Sequence, residues 1–288
     1  MRVFNSCKDA LAHCLETKTF GVAHLYNTEK TMNIHIHDCY EIYFSLSGGN
    51  QFLINDRIHN FSSGDIFFIN SLESHYVQSI EPDKHERIVL HIHPAFIKQM
   101  SSEHTNLDYC FSQRNGPQDN KRSLSEDEQK RFLCFIHELS SQNPFGQDLL
   151  DTATMIRLLV FLNNIFLKEP HSAEIKISHS KRRVEQFSDI LSYINQHLTE
   201  EHTLSSLADH FFVSPSYLCT LFKKETGTTI TKYITAQRIT LAKALLQSGT
   251  SAIETCEKCG FKDYSNFFKA FLKAVGVSPS KYAQLSAI

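Results

Sequence analysis

Short apolar segments separated by turn residues follow one another between about residue 20 and residue 98. The segments at 40–46, 50–56, 65–71 and 86–93 are rich in β-branched and aromatic residues, and pairs such as Gly-Gly and Asn-Asp lie between them. Strands that are this short and closely spaced are typical of a small antiparallel barrel or sandwich. The pattern therefore predicts an antiparallel β-barrel in the first third of the chain.

From residue 125 onward, apolar residues recur every three or four positions, which indicates amphipathic helices. The helix predicted at 147–168 has two apolar stripes. One contains Leu158, Phe161, Leu162 and Ile165; the other contains Leu149, Ala153, Ile156, Val160, Asn163 and Leu167. One stripe can pack on the barrel and the other then needs a partner, so we expect a homodimer through this helix. Burial of both stripes within one chain is the alternative.

After about residue 168 the sequence loses its periodicity and gains proline, serine and charge, which indicates a linker. Beyond it the pattern is helical to the end, and seven short helices fit. A short helix, a tight turn and a second helix occur at 203–227 and again at 251–276, joined by a long helix at 231–248. This repetition predicts two helix-turn-helix units.

The composition is that of a soluble protein, with 288 residues, 41% hydrophobic and 21% charged. Asp9 and Glu16 stand where a signal peptide needs an apolar stretch, so we expect a cytoplasmic protein without a membrane segment. Eight scattered cysteines suit reduced thiols. The net charge of −2 divides into −6 over residues 1–180 and +4 over residues 181–288. A basic C-terminal third fits a nucleic-acid-binding module.

Several motifs in the helical third resemble the C-terminal DNA-binding domain of the AraC/XylS family of bacterial transcription regulators. They are SPSYLCTLFKKETG, KYITAQRITLAKALL, GFKDYSNFFKAF and GVSPSKY, within residues 184–285. More loosely, HIHDCYEIYFSLSGGNQFLIND and SSGDIFFINSLESHY are similar to the cupin-like sensor domain of the same family.

The resemblance implies an α+β multidomain protein with four segments. These are a cupin-like effector-sensing barrel at 1–100, a helical dimerisation segment at 101–168, a linker at 169–182, and a DNA-binding domain with two helix-turn-helix units at 183–288. It also implies a transcription activator that contacts RNA polymerase.

The early residues of a helix in the major groove reach base edges. The outward positions that match the base-facing positions of the family motif are Ser216, Cys219 and Thr220 in the first unit and Ser265, Asn266 and Lys269 in the second. The first helix lacks Arg, Gln and Asn there, so we expect phosphate contacts, with Lys223 supplying charge. Sharper reading is expected from Asn266 on adenine and Lys269 on guanine. A solvated helix face is the alternative for each position.

The stretch HIHDCYE at residues 35–41 offers metal-binding side chains. On a strand, His35, His37, Cys39, Glu41 and Tyr43 share one face because side chains alternate. Two imidazoles and a carboxylate suit a transition metal, and this spacing fits the first motif of metal-binding cupins. Phe67, however, stands where the histidine of their second motif is expected. His75 can replace it only if its strand bends suitably.

Three interpretations of this polar face remain open. In the preferred one it binds a small organic effector such as a sugar through His35, His37, Glu41 and Tyr43, with His75, His91 and His93 from other strands. In the second it binds a transition metal, either in a metal-sensing regulator or in a metal-dependent cupin enzyme using His35, His37 and Glu41. In the third the histidines are satisfied structurally and no ligand exists.

The sequence thus predicts a transcription regulator and not an enzyme, with no catalytic residue, no cofactor and no bound metal. Its expected partners are promoter repeats in double-stranded DNA, a small-molecule effector, RNA polymerase and a second copy of the chain.

Overall fold

The computed structural model describes residues 3–26, 35–49, 51–55, 57–71, 73–78, 85–113, 120–141, 143, 145–168, 181–226 and 228–286. Most of the predicted linker at 169–182 lies outside these residues. The strands are β1 (Phe20–Leu25), β2 (Tyr40–Ser45), β3 (Gln51–Ile54), β4 (Arg57–Asn60), β5 (Asp65–Ile69), β6 (His75–Gln78), β7 (Arg87–Ile92) and β8 (Lys121–Ser123).

The helices of the N-terminal half are α1 (Cys7–Thr17), α2 (Pro94–Met100), α3 (Tyr109–Ser112), α4 (Glu126–Ser140) and α5 (Gln147–Leu167). Those of the C-terminal half are α6 (Lys181–Gln196), α7 (Leu204–His210), α8 (Pro215–Thr226), α9 (Ile230–Gln247), α10 (Ala252–Lys258), α11 (Tyr264–Val275) and α12 (Pro279–Ser286).

The eight strands form two antiparallel sheets. The larger has the order β1-β7-β2-β5-β8 and the smaller β4-β3-β6. Strand β8 comes from the segment expected to be helical and pairs with β5. It is tied to the end of α5 by Arg122, whose guanidinium donates to the Phe166 carbonyl and lies over the Phe166 ring. The antiparallel N-terminal domain predicted from the short apolar segments is confirmed.

The central strand β2 is buried on both faces. Ile42 and Phe44 face the helices that cover the larger sheet, and the Phe44 and Phe132 ring centroids are 4.7 Å apart. Tyr43 faces the smaller sheet, 4.9 Å from the Phe52 ring centroid. Because both faces are covered, the central residues 42–44 form a continuous apolar run instead of an alternating pattern.

Helix α5 presents one apolar stripe to the sheet and one to the surface. Leu158 and Leu162 are buried, whereas Leu149 is 70% exposed and Leu167 62% exposed. Asn163 is a correction to the predicted outer stripe, because its side chain accepts from the Cys110 amide at 2.9 Å and donates to the Leu107 carbonyl at 3.0 Å. Helix α5 is long and apolar enough to cross a membrane, but half of its apolar stretch is buried within this protein.

The C-terminal half contains the seven predicted helices within its described residues. Thr203, Ser251 and Asp263 cap α7, α10 and α11, each accepting a backbone N–H three residues on, and Gly276 ends α11 in a left-handed conformation. The first helix-turn-helix unit, α7 and α8, packs with α6 and the start of α9. The second, α10 and α11, packs with the end of α9 and α12.

Candidate ligand pocket and DNA interface

Four potential ligand side chains converge at one end of the barrel. His35 and His75 pair through their backbones in an isolated antiparallel bridge, with N···O distances of 3.2 and 3.1 Å. His37 lies between this bridge and β2, and Glu41 is the second residue of that strand. Their nitrogen and carboxylate atoms all lie within 4.8 Å of one another. We call these four residues the histidine–glutamate cluster.

Glu41 is the centre of this cluster. Its Oε2 lies 2.8 Å from His37 Nε2 and 3.3 Å from His75 Nε2. His91, the cross-strand partner of Glu41 on β7, places Nδ1 3.5 Å from the same oxygen. Glu41, His37, His75 and His91 are buried, whereas His35 is half-buried. The cluster therefore has a closed inner side and a more accessible side at His35.

The buried charges of the cluster stabilise one another. Burial raises the pKa of the Glu41 carboxyl, but the charge of His75 and the hydrogen bond from His37 outweigh it, so this pKa lies well below its usual range. Burial lowers the pKa of His75, but the Glu41 carboxylate raises it more. Burial lowers the pKa of His91 to about 3, which keeps that imidazole neutral. The site thus combines a carboxylate with a set of imidazole nitrogens.

Three of the predicted effector residues are not members of the cluster: His91, which adjoins Glu41, and Tyr43 and His93. The Tyr43 hydroxyl forms a hydrogen bond of 2.6 Å with His85 Nε2. His93 is the N-cap of α2, where its Nδ1 accepts the Ala95 N–H at 3.1 Å. The expectation that residues 35–43 form one strand face is wrong, because β2 begins only at Tyr40.

The aromatic filling of the barrel limits the space beside the cluster. Tyr43, Phe52 and Phe67 pack edge to face or tilted, with ring centroids 4.7 to 6.1 Å apart. Phe61 adds a fourth ring, 5.6 Å from Phe67. Phe67, which stands where a fourth metal ligand was expected, is thus part of an apolar layer. His75 lies in the cluster instead, because the bridge to His35 brings the start of β6 to it.

The cluster is flanked by contacts to the DNA-binding half. Asp38, next to His37, forms a 2.8 Å ion pair with Lys243 of α9. Ser74, next to His75, accepts a hydrogen bond from Gln237 of α9 at 2.6 Å. Lys243, Gln237 and Ser74 are buried. No sequence pattern indicates these contacts, because the paired residues are 163 and 205 positions apart.

Apolar residues extend the same interface. Leu53, Ile58 and Tyr76 of the smaller sheet pack against the hydrophobic core of the first helix-turn-helix unit. The Tyr233 hydroxyl of α9 also donates to the Asn55 carbonyl at 3.3 Å. The barrel therefore contacts both α9 and the first unit.

The residues predicted to contact DNA are all exposed: Ser216, Cys219, Thr220 and Lys223 on α8, and Ser265, Asn266 and Lys269 on α11. Two of them make local hydrogen bonds. The Thr220 hydroxyl donates to the Ser216 carbonyl at 2.9 Å. The Asn266 amide donates to the capping carboxylate of Asp263 at 2.6 Å, so Asn266 has to exchange this bond for one to a base.

Comparisons with known proteins match both halves of the chain. Residues 21–159 match the AraC-like ligand binding domain family, and residues 207–284 match a helix-turn-helix domain family. The HTH-type transcriptional activator RhaR of Cronobacter sakazakii is 24% identical over 87% of this chain and 86% of its own length. The uncharacterized HTH-type transcriptional regulator YdeC of Bacillus subtilis is 27% identical over 88% of this chain and 87% of its own length.

Among solved structures, ToxT of Vibrio cholerae O395 is similar over 93% of this chain and 98% of its own, with 14% identity and a TM-score of 0.35.

Proposed function

Because this chain belongs to the AraC family of transcription regulators, we propose that ligand occupancy of the histidine–glutamate cluster controls how the barrel holds the DNA-binding half. The observation that supports this is the position of Asp38 and Ser74. Each is one residue from a member of the cluster, and each contacts α9. A ligand that moves His37 or His75 therefore also moves a contact to α9.

Helix α9 is well placed to transmit such a change. It joins the two helix-turn-helix units, and its beginning and end belong to their separate hydrophobic cores. When α9 is held against the barrel, the positions of α8 and α11 relative to the barrel are also held. Release of α9 allows both helices to fit successive major-groove faces, about 34 Å apart along B-DNA. In this mechanism the ligand shifts the population of the two arrangements.

The second unit is proposed to supply most of the sequence reading. Lys269 and Asn266 are exposed near the start of α11, and both side chains are able to pair with base edges. On α8 the exposed Ser216, Cys219 and Thr220 offer no bidentate pairing, so its contribution is proposed to be shape and phosphate contact through Lys223.

The outer stripe of α5 is proposed to form a homodimer interface. Leu149 and Leu167 are strongly exposed, and Val160 lines a groove of about 550 Å³ between α4 and α5. Arg157 at the groove is paired with Glu138 at 2.9 Å, so the charge at the edge of this apolar surface is balanced. A two-fold contact through this face brings two DNA-binding halves to one promoter.

We also propose activation through contact with RNA polymerase in the cytoplasm, which the relatives named transcriptional activators support. For the effector, the aromatic layer of Tyr43, Phe52 and Phe67 favours a small polar ligand over a bulky one. A sugar held by the cluster stays a prediction.

The proposal is tested by the substitution Asp38→Asn, which removes the charge that Lys243 contacts. Selection of bound duplexes from a random DNA library by the full-length protein first provides a cognate site. Fluorescence anisotropy then measures Kd for that site. In the absence of ligand, we expect the variant to bind this DNA site at least about fivefold more tightly than the wild-type protein does. Fivefold is the low end of typical coupling between two sites.

The matched control is Glu86→Gln, which removes the same charge from a pair with His24 that is part of neither the contact to α9 nor the proposed dimer surface. Equal changes in Kd for the two variants would show that net charge, and not the contact to α9, sets DNA affinity. A selection that recovers no preferred duplex would contradict the DNA-reading part of the proposal.

A further inference from the structure

We infer that His35, His37, Glu41 and His75 bind one divalent first-row transition-metal ion, which serves as the ligand of the pocket. The inference rests on the proposed function for the link to DNA binding, but the metal site itself stands on the geometry of the four side chains.

The spacing of the four ligand atoms suits one ion. All lie within 4.8 Å of one another. Histidine nitrogens and carboxylate oxygens bind zinc at about 2.0–2.2 Å, so opposite ligands of one ion are about 4 Å apart at most. A contraction of less than about 1 Å, within reach of side-chain rotation, closes the cluster around an ion. Among the described residues, no other group of His, Cys, Asp and Glu side chains has this spacing.

The orientation of two imidazoles points to a cation. His37 Nδ1 lies 3.0 Å from the Cys39 carbonyl and His75 Nδ1 lies 3.0 Å from the Glu73 carbonyl. A carbonyl only accepts, so both Nδ1 atoms carry the proton. Nε2 of each ring is then directed at Glu41 Oε2. A cation has to lie between each Nε2 and the carboxylate: a proton does so in the hydrogen-bonded site described above, and a metal ion that replaces these protons contacts all the groups at once.

The surroundings of Glu41 also fit a metal centre. His91 lies beside its carboxylate at 3.5 Å, and His91 Nε2 is 3.2 Å from Cys7 Sγ. This buried pair orients the carboxylate from behind, as outer partners of metal ligands do. His35 is the half-buried member, so the side of the cluster at His35 is where an ion enters and where a further ligand can bind.

The donor set identifies the class of ion. Three imidazoles and one carboxylate suit zinc, iron, manganese, cobalt or nickel in the divalent state. Calcium and magnesium are disfavoured because they prefer sites made of oxygen ligands. Co²⁺ is a convenient probe because its visible absorption depends on the number and type of its ligands.

The test is a titration of the EDTA-treated, full-length protein with Co²⁺, followed by visible absorption and by metal analysis after desalting. We expect one Co²⁺ per chain with a spectrum of nitrogen and oxygen ligands. Glu41→Gln and His75→Ala should each weaken Co²⁺ binding by roughly 100-fold or more, since loss of even an outer partner costs about 10–100-fold. The spectrum of the wild-type protein is informative even if a variant fails to fold.

The matched control is His24→Ala. His24 also pairs with a glutamate, Glu86, at 2.8 Å in the same barrel, but lies outside the cluster. It should keep the wild-type affinity and spectrum. No binding of Co²⁺ by the wild-type protein, or equal loss in His24→Ala and Glu41→Gln, would overturn the metal site.

DNA binding separates this inference from the proposed function. Saturation with Co²⁺ should change Kd for the selected duplex in the wild-type protein and leave it unchanged in Asp38→Asn. Tight, cluster-dependent Co²⁺ binding without any change in DNA affinity would support the site and contradict its regulatory role. DNA coupling through Asp38 without Co²⁺ binding would do the reverse.

Discussion

The two helix-turn-helix units have helices of equal length but different surroundings. In each, a helix of 7 residues precedes one of 12 residues. The hydrophobic core of the first unit includes Leu53 of the barrel, whereas the core of the second contains only residues of the C-terminal half. The same motif therefore has two different surroundings. The first unit, which has fewer side chains able to pair with bases, is the one that packs against the barrel.

The turns of the two units also differ in how closely they are packed. Each turn has a residue in the left-handed conformation, Phe212 with φ of 53° in the first unit and Gly260 with φ of 74° in the second. Phe212 is 96% exposed. Gly260 packs so closely that an added Cβ would lie 2.3 Å from the Thr199 carbonyl oxygen. The second turn is therefore fixed by packing, and the first is strained but unconfined.

The largest expected effect is that of Gly260→Ala. Left-handed strain of about 1–2 kcal/mol adds to an overpacking cost of about 1–3 kcal/mol, so the free energy of unfolding should fall by about 2–5 kcal/mol. Urea denaturation measures the loss, and hydrogen exchange of α11 assigns it to the second unit. Gly249→Ala is the control, because Gly249 also has a positive φ but nothing within 4 Å of its added Cβ. Equal losses would show that close packing at Gly260 is unimportant.

Leu53→Ala tests whether the first unit depends on the barrel. Leu53 is buried against its core, so the substitution should cost about 2 kcal/mol, the low end for a buried leucine, and speed hydrogen exchange in α8 but not in α11. Ile54, the next residue on β3, packs inside the barrel instead. Ile54→Val should therefore leave exchange in α8 unchanged. Faster exchange in both units would mean that the second unit is also coupled to this surface.

Substitution of one lysine in each unit tests the difference in DNA reading. Lys269→Ala should weaken binding to the selected site by about 1–2 kcal/mol and affect random DNA much less. Lys223→Ala should weaken binding to both by similar amounts and reduce the slope of log K against log salt by about 1. Kd measured on both duplexes over a range of salt concentrations distinguishes the two patterns. Equal losses of affinity for the selected and the random duplex in Lys269→Ala would contradict its assigned base-reading role.

Local patterns predicted most of the fold. The helices of the C-terminal half were readable because their caps, such as Ser251 and Asp263, use side chains three residues from their partners. Strands β2, β5 and β7 were readable because buried strands form compact apolar runs. Strand β8 was missed because a strand of 3 residues carries too little pattern, and it forms only by pairing with β5.

The candidate site was less predictable because it depends on topology. His35, His37 and Glu41 were found from their spacing, since they are close in sequence. The position of His75 depends on a backbone bridge to His35, 40 residues away, which no periodicity indicates. The role of Lys243 is unpredictable for a similar reason. In the sequence of α9 it is an ordinary polar residue, and only the fold brings Asp38 beside it.

The smallest expected effect concerns the strained turn of the first unit. Phe212→Gly removes left-handed strain of about 1–2 kcal/mol but adds backbone freedom to the unfolded chain worth about 0.5–1 kcal/mol, so a net gain of about 0.5–1 kcal/mol is expected. Phe212→Ala keeps the Cβ and removes only an exposed ring, and it should give no gain. Urea denaturation of the full-length variants compares them. A loss of stability in both would show that the Phe212 ring, although exposed, stabilises the unit, and the contrast between a strained turn and a packed one would then fail.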